Sequence, residues 1–125
     1  MNIPRGRRDF AYTAARKKTA AAPWFAADAK IAVQSKTADA VMLAFDQADD
    51  DECVYGYRIE ICAAENPKKA IVTKEIYSEY YFEPMPQALT VTVDGLTLGG
   101  NYIANVIPLN VWLMEGEPLS VDFTL

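Results

Sequence analysis

From residue 23 onward the chain is written in short runs in which apolar and polar residues alternate. A period of two sends successive side chains to opposite faces of an extended strand, so each run can bury one face and wet the other. Ile31 and Val33 alternate with polar neighbours, as do Val41, Leu43 and Phe45. Tyr57, Ile59 and Ile61 alternate with Arg58, Glu60 and Cys62, the signature of a half-buried strand. Ile71-Val72-Thr73 with Ile76-Tyr77 forms a fourth β-prone run, and Leu89, Val91 and Val93 a fifth. Tyr102, Ala104 and Val106 make a sixth, and Val121 and Phe123 a seventh. Turn signals separate them: Asp49-Asp50-Asp51, Glu65-Asn66-Pro67, Pro84-Met85-Pro86, Asp94-Gly95, Gly99-Gly100 and Glu115-Gly116-Glu117-Pro118. Short strands at this spacing predict an all-β, seven-stranded antiparallel sandwich over 23–125. A parallel sheet would need intervening helices, and none is visible.

The chain has 125 residues, the size of one domain able to bury a core without staples. With 51% hydrophobic and 23% charged residues, global disorder is excluded. There is no histidine, which removes His-based triads, His general bases and His-containing metal sites. No apolar run reaches the ~18 residues of a membrane span, and the residues after Met1 are polar and basic rather than an apolar signal core. No GxSxG elbow, SxxK or Gly-rich phosphate loop occurs. No catalytic residue, metal ligand or cofactor-binding residue is therefore expected in this chain.

Charge is unevenly spread. Residues 1–18 hold Arg5, Arg7, Arg8, Arg16, Lys17 and Lys18 against Asp9, a net +5; the remainder holds six basic and sixteen acidic residues, a net −10. A basic arm before an acidic body fits a nucleic-acid or anionic-membrane arm, but an acidic body repels phosphate. Residues 1–22 are read instead as a linker or arm from a neighbouring domain, with one or two helical turns within 11–22 limited by Pro23. No nucleic-acid partner is expected. Cys53 and Cys62 stand nine positions apart; on one extended strand that is roughly 30 Å, against the ~4.4–6.8 Å between Cα atoms that a disulfide needs. Both are expected to be free thiols.

Three clusters are candidates for binding. Asp49-Asp50-Asp51-Glu52 offers clustered carboxylates to a hard cation, but the EF-hand spacing is absent, and a solvated loop is the simpler reading. Tyr77, Tyr80, Tyr81 and Phe82, beside Pro84 and Pro86, offer an aromatic surface centred on Tyr80 and Tyr81; against it stands a strand that points alternate rings inward. Trp112, Leu113 and Met114 are three consecutive large apolar residues at a loop tip. They either cap the core or form an interface.

The segment Val93-Asp94-Gly95-Leu96-Thr97-Leu98-Gly99-Gly100-Asn101-Tyr102 resembles the E–F corner of a fibronectin type III domain, a member of the immunoglobulin-like sandwiches. The resemblance implies that Leu96 plugs the end of the sandwich, that Gly99 or Gly100 supplies the turn, and that Tyr102 returns its hydroxyl to nearby backbone. It extends over about 23–125, with 56–61 resembling strand C, 102–106 strand F with Asn110 opening the F–G loop, and Pro118-Leu119-Ser120 strand G. Phe45 stands where the family often has Trp, and the F–G loop carries Val111-Trp112-Leu113-Met114 in place of an RGD motif, so integrin adhesion is not implied.

A second resemblance bears on function. Ile3-Pro4, Asp9-Phe10-Ala11-Tyr12-Thr13 and Pro23-Trp24-Phe25 are similar to the segment after the catalytic domain in some bacterial calcineurin-like metallophosphoesterases. Ser78-Glu79-Tyr80-Tyr81, Met85-Pro86 and Gly95-Leu96 resemble their appended C-terminal fibronectin-like domain. This implies an accessory module of a larger hydrolase, secreted or in the cell envelope, whose two-metal site lies outside this chain. The expected partners are a neighbouring domain and, through the F–G loop, a second copy. The alternative is a stand-alone carbohydrate- or protein-binding module.

Overall fold

The computed structural model describes residues 21–49, 54–77 and 88–125. Seven strands follow one another: β1 Ile31–Lys36, β2 Val41–Asp46, β3 Gly56–Ala63, β4 Ala70–Tyr77, β5 Ala88–Val93, β6 Asn101–Leu109 and β7 Leu119–Thr124. They form a three-stranded sheet in the order β1-β2-β5 and a four-stranded sheet in the order β4-β3-β6-β7. All pairings are antiparallel. This is the A-B-E and C′-C-F-G arrangement of the fibronectin type III sandwich, and each of the seven expected runs is a strand.

The alternation decides which faces meet. Val41, Leu43 and Phe45 are buried with Leu89, Val91 and Val93 on the inner face of the first sheet. Tyr57, Ile59 and Ile61 are buried with Tyr102, Ala104 and Val106 on the inner face of the second, and the register sets Ile59 beside Val106 and Ile61 beside Ala104. The apolar sets interdigitate into one core. Tyr57 is at its centre, fully buried, with Phe45 edge-on at 5.1 Å and Phe25 stacked at 6.2 Å. Phe45 and Tyr57 thus form the aromatic centre of the core. Such pairs add roughly 0.5–1.5 kcal/mol beyond area burial.

The open sides of the sandwich are closed by lysines. Lys36 Nζ donates to the Thr124 carbonyl at 2.9 Å, tying β1 to β7, and Lys74 Nζ donates to the Thr92 carbonyl at 2.8 Å, tying β4 to β5. Charged edge residues also discourage pairing with another chain, as does the bulge in β1 between Val33 and Ser35.

Several expectations concern residues outside those described: the arm through residue 20, Asp50, Asp51, Glu52 and Cys53, and the aromatic run with Tyr80, Tyr81, Phe82, Pro84 and Pro86. Among the described residues, no helix is long and apolar enough to cross a membrane.

Candidate interaction surface

The two ends of the sandwich are built differently. At the E–F end, Leu96 is buried and its N–H donates to the Asp39 carbonyl at 2.9 Å. Gly99 has φ +85°, the left-handed region open to glycine, and its N–H reaches the Leu125 carbonyl. The Tyr102 hydroxyl accepts from the Thr97 N–H at 2.8 Å and donates to the Thr97 carbonyl at 3.3 Å. Its ring lies 5.5 Å from that of Phe123. These hydrogen bonds fix the shape of the corner, and among the described residues no buried side-chain polar atom lacks a partner.

The opposite end carries the B–C and F–G connections and the segment entering β1. Strand β6 reaches Leu109, but its pairing with β7 stops at Val106–Leu119. Pro108 therefore removes no ladder hydrogen bond, and its carbonyl accepts from Gly116 N–H at 3.0 Å. Asn110 follows, and only 1% of it is exposed. Its Oδ1 accepts from the Trp112 N–H at 2.9 Å and the Met114 N–H at 3.0 Å. Its Nδ2 donates to the Ala21 carbonyl at 3.1 Å. One side chain thus shapes the loop and fixes the segment preceding the sandwich. A buried amide satisfied this fully is stabilising, whereas a half-satisfied one would cost more than an apolar side chain.

The entering segment, residues 21–25, lies against the sandwich as a strap. Trp24 and Asp49 exchange backbone hydrogen bonds at 2.8 and 2.7 Å. Gly116 leaves the space in which the strap lies, because a Cβ there would collide with the Pro23 carbonyl oxygen and the Pro108 ring. Phe25 then enters the core against Tyr57.

The loop tip separates the three residues the sequence grouped. Trp112 and Met114 are half-buried, while Leu113 is 56% exposed. Leu113 has φ +60° and is the one non-glycine residue with positive φ among those described. On the flank, Arg58 Nη2 pairs with Glu115 Oε1 at 2.6 Å and Arg58 Nε with Glu60 Oε2 at 3.1 Å. The hydrogen bond to Glu115 holds the guanidinium proton more tightly than usual, against the opposing effect of burial.

Asp28, Asp46 and Asp49 line a shallow recess of about 330 Å³ beside the strap. Asp46 Oδ2 is already taken by the Lys30 N–H. Among the described residues no group of three His, Cys, Asp or Glu could hold a metal. Cys62 is a free, buried thiol in β3, raised in pKa by burial and then by Glu60. The Tyr57 hydroxyl accepts from the Ala48 N–H at 2.8 Å. Burial pushes its pKa up to about 12, with the backbone bond to Ala48 opposing and Asp49 adding.

Sequence reasoning did not find the Asn110 clamp, the Gly116 notch or the Trp24–Asp49 bridge. Asn and Gly at loop positions carry a turn signal, but nothing in the sequence says that one strap lies against both.

No family's sequence profile matches this chain, and no curated protein matches it in sequence. Solved structures do match in fold. One, described as a myokine structure, has a TM-score of 0.52 and 18% identity over 85% of this chain and 97% of that one. Another, the crystal structure of chicken CNTN1 FN1-FN3 domains, has a TM-score of 0.57 and 17% identity over 83% of this chain. This chain spans 30% of the CNTN1 structure's length. At such identities the likeness concerns architecture, which hosts many unrelated functions. What it establishes is that the chain folds as a fibronectin type III-like β-sandwich.

Proposed function

We propose that the chain is a non-catalytic accessory module that packs against a neighbouring domain of a larger protein by its strap and F–G end. The observation that carries this reading is the strap. Chain arriving from the N-terminal side is held to the sandwich from residue 21 onward by Asn110, by the Trp24–Asp49 pair and by the Gly116 notch, so the chain enters at the end that carries the apolar F–G tip. The motif resemblance supports a more specific reading: the larger protein is a bacterial calcineurin-like metallophosphoesterase and this is its C-terminal module. The alternative, a stand-alone carbohydrate- or protein-binding module, places the same end against a separate partner.

Native size and activity test this together. An antibody raised against the chain should detect a native protein well above 13.8 kDa. Immunoprecipitates should hydrolyse bis(p-nitrophenyl) phosphate with a divalent cation, while the purified 125-residue chain should not. A native protein of the chain's own size, or activity in the purified chain that is lost on mutating its acids, would sink the accessory reading.

A further inference from the structure

We propose that Leu113 is the anchor of a protein–protein interface whose partner presents an apolar socket edged by lysine or arginine. This deepens the accessory reading of the F–G end and rests on it for the surface, not for the partner's identity. The first observation is backbone geometry. Leu113 sits at φ +60°, where glycine or asparagine is the ordinary occupant and a large aliphatic side chain is disfavoured. Such strain persists where the surroundings over-determine it, typically at a functional contact. Here Asn110 over-determines it. Its carbonyl accepts the Leu113 N–H at 2.9 Å, and its side-chain oxygen holds the amides on either side, those of Trp112 and Met114. A buried polar side chain and a disfavoured φ are both maintained, yet Leu113 remains 56% exposed. Core packing does not account for that arrangement; a projecting knob does.

The second observation is the setting. Half-buried Trp112 and Met114 form apolar shoulders beside the knob, the composition of a contact centre. Around it the charge is acidic. Glu117 and Asp49 are exposed, and Glu115 keeps 53% of its side chain in solvent although Arg58 contacts it. The body beyond residue 18 carries −10. Acidic rims steer toward a basic partner edge, and two copies of so acidic a body repel each other. The occupant is therefore a basic-edged surface of another protein or domain and not the acidic body of a second copy.

The test places the photo-crosslinker p-benzoylphenylalanine at position 113 of the full chain in its native cells, with the same probe at exposed position 65 in the opposite loops as control. The expected adduct maps to a peptide outside residues 1–125 that is apolar with flanking Lys or Arg, and its yield falls several-fold as salt is raised. An adduct within residues 1–125, an acidic peptide, or a yield no higher than at position 65 would overturn the proposal. Leu113→Gly and Leu113→Asn tolerate the left-handed backbone and should keep or raise the melting temperature while Leu113→Asn weakens capture of the identified peptide at least tenfold. A fall of the melting temperature in both variants would make Leu113 a packing residue and end the proposal. An adduct meeting the expectation on a protein with no phosphoesterase would leave the anchor standing and remove the metallophosphoesterase parent.

Discussion

Two tyrosines show how one hydroxyl can be put to different uses. The Tyr102 hydroxyl closes the E–F corner on Thr97, so Tyr102→Phe should lower stability by about 1 kcal/mol, one hydrogen bond with its partner left unmet. Tyr77 is 40% exposed and keeps its ring contact with Tyr55 without a hydroxyl, so Tyr77→Phe should cost less. Equal, negligible shifts in urea melts would remove the corner from the account. Tyr57 is buried as a neutral phenol whose pKa rises from 10.0 to about 12. A group with a raised folded pKa contributes stability that is complete below its unfolded value and is lost as pH climbs through the folded one. Stability should therefore decline between about pH 10 and 12, by on the order of 2–3 kcal/mol from this group. Tyr57→Phe should show a shallower decline over that window; parallel curves for wild type and variant would refute the assignment.

Among the elements, the strands were legible because each is a local pattern. Tyr57-Ile59-Ile61 announces its buried face within five residues, and the Leu96 to Tyr102 segment carries its corner in a single stretch. The loop end was not legible, because its logic joins residues far apart in sequence: Asn110 to Ala21, Gly116 to Pro23, Trp24 to Asp49. Periodicity carries no information about such contacts. Nor does the run Trp112-Leu113-Met114 reveal that the Asn110 clamp leaves two of its side chains half-buried and one exposed. Gly116→Ala should displace the strap while sparing the sheets. Hydrogen exchange at the Trp24 and Asp49 amides should accelerate at least tenfold, with protection in β3 and β6 nearly unchanged. Slow exchange at both amides in the variant would show that the strap does not depend on the notch. Asn110→Ala leaves the Trp112 and Met114 amides without their acceptor and should cost about 2 kcal/mol or more.

At the scale of the whole molecule, the structure separates a closed end from a presenting end. The E–F end closes on itself through Tyr102, Thr97 and Leu125, whereas the B–C and F–G end combines the strap, the apolar tip and the exposed acids Asp49, Glu115 and Glu117, and an interface should be sought there. The strap has a mechanical consequence. It holds the entering chain at one pole, while Leu125 exchanges backbone hydrogen bonds with Gly99 and Gly100 at the other. A pull on the two ends therefore loads the sandwich lengthwise. Before tension reaches β1 it meets the strap, whose few hydrogen bonds to Asp49 and Asn110 can be peeled in turn, unlike the β1–β2 ladder behind them. Freeing residues 21–30 yields on the order of 30 Å of chain at ~3.5 Å per residue. Single-molecule stretching should record that short, low-force extension ahead of the main rupture, and lose it in Gly116→Ala; the strap would then act as a mechanical fuse, yielding first and leaving the sandwich intact.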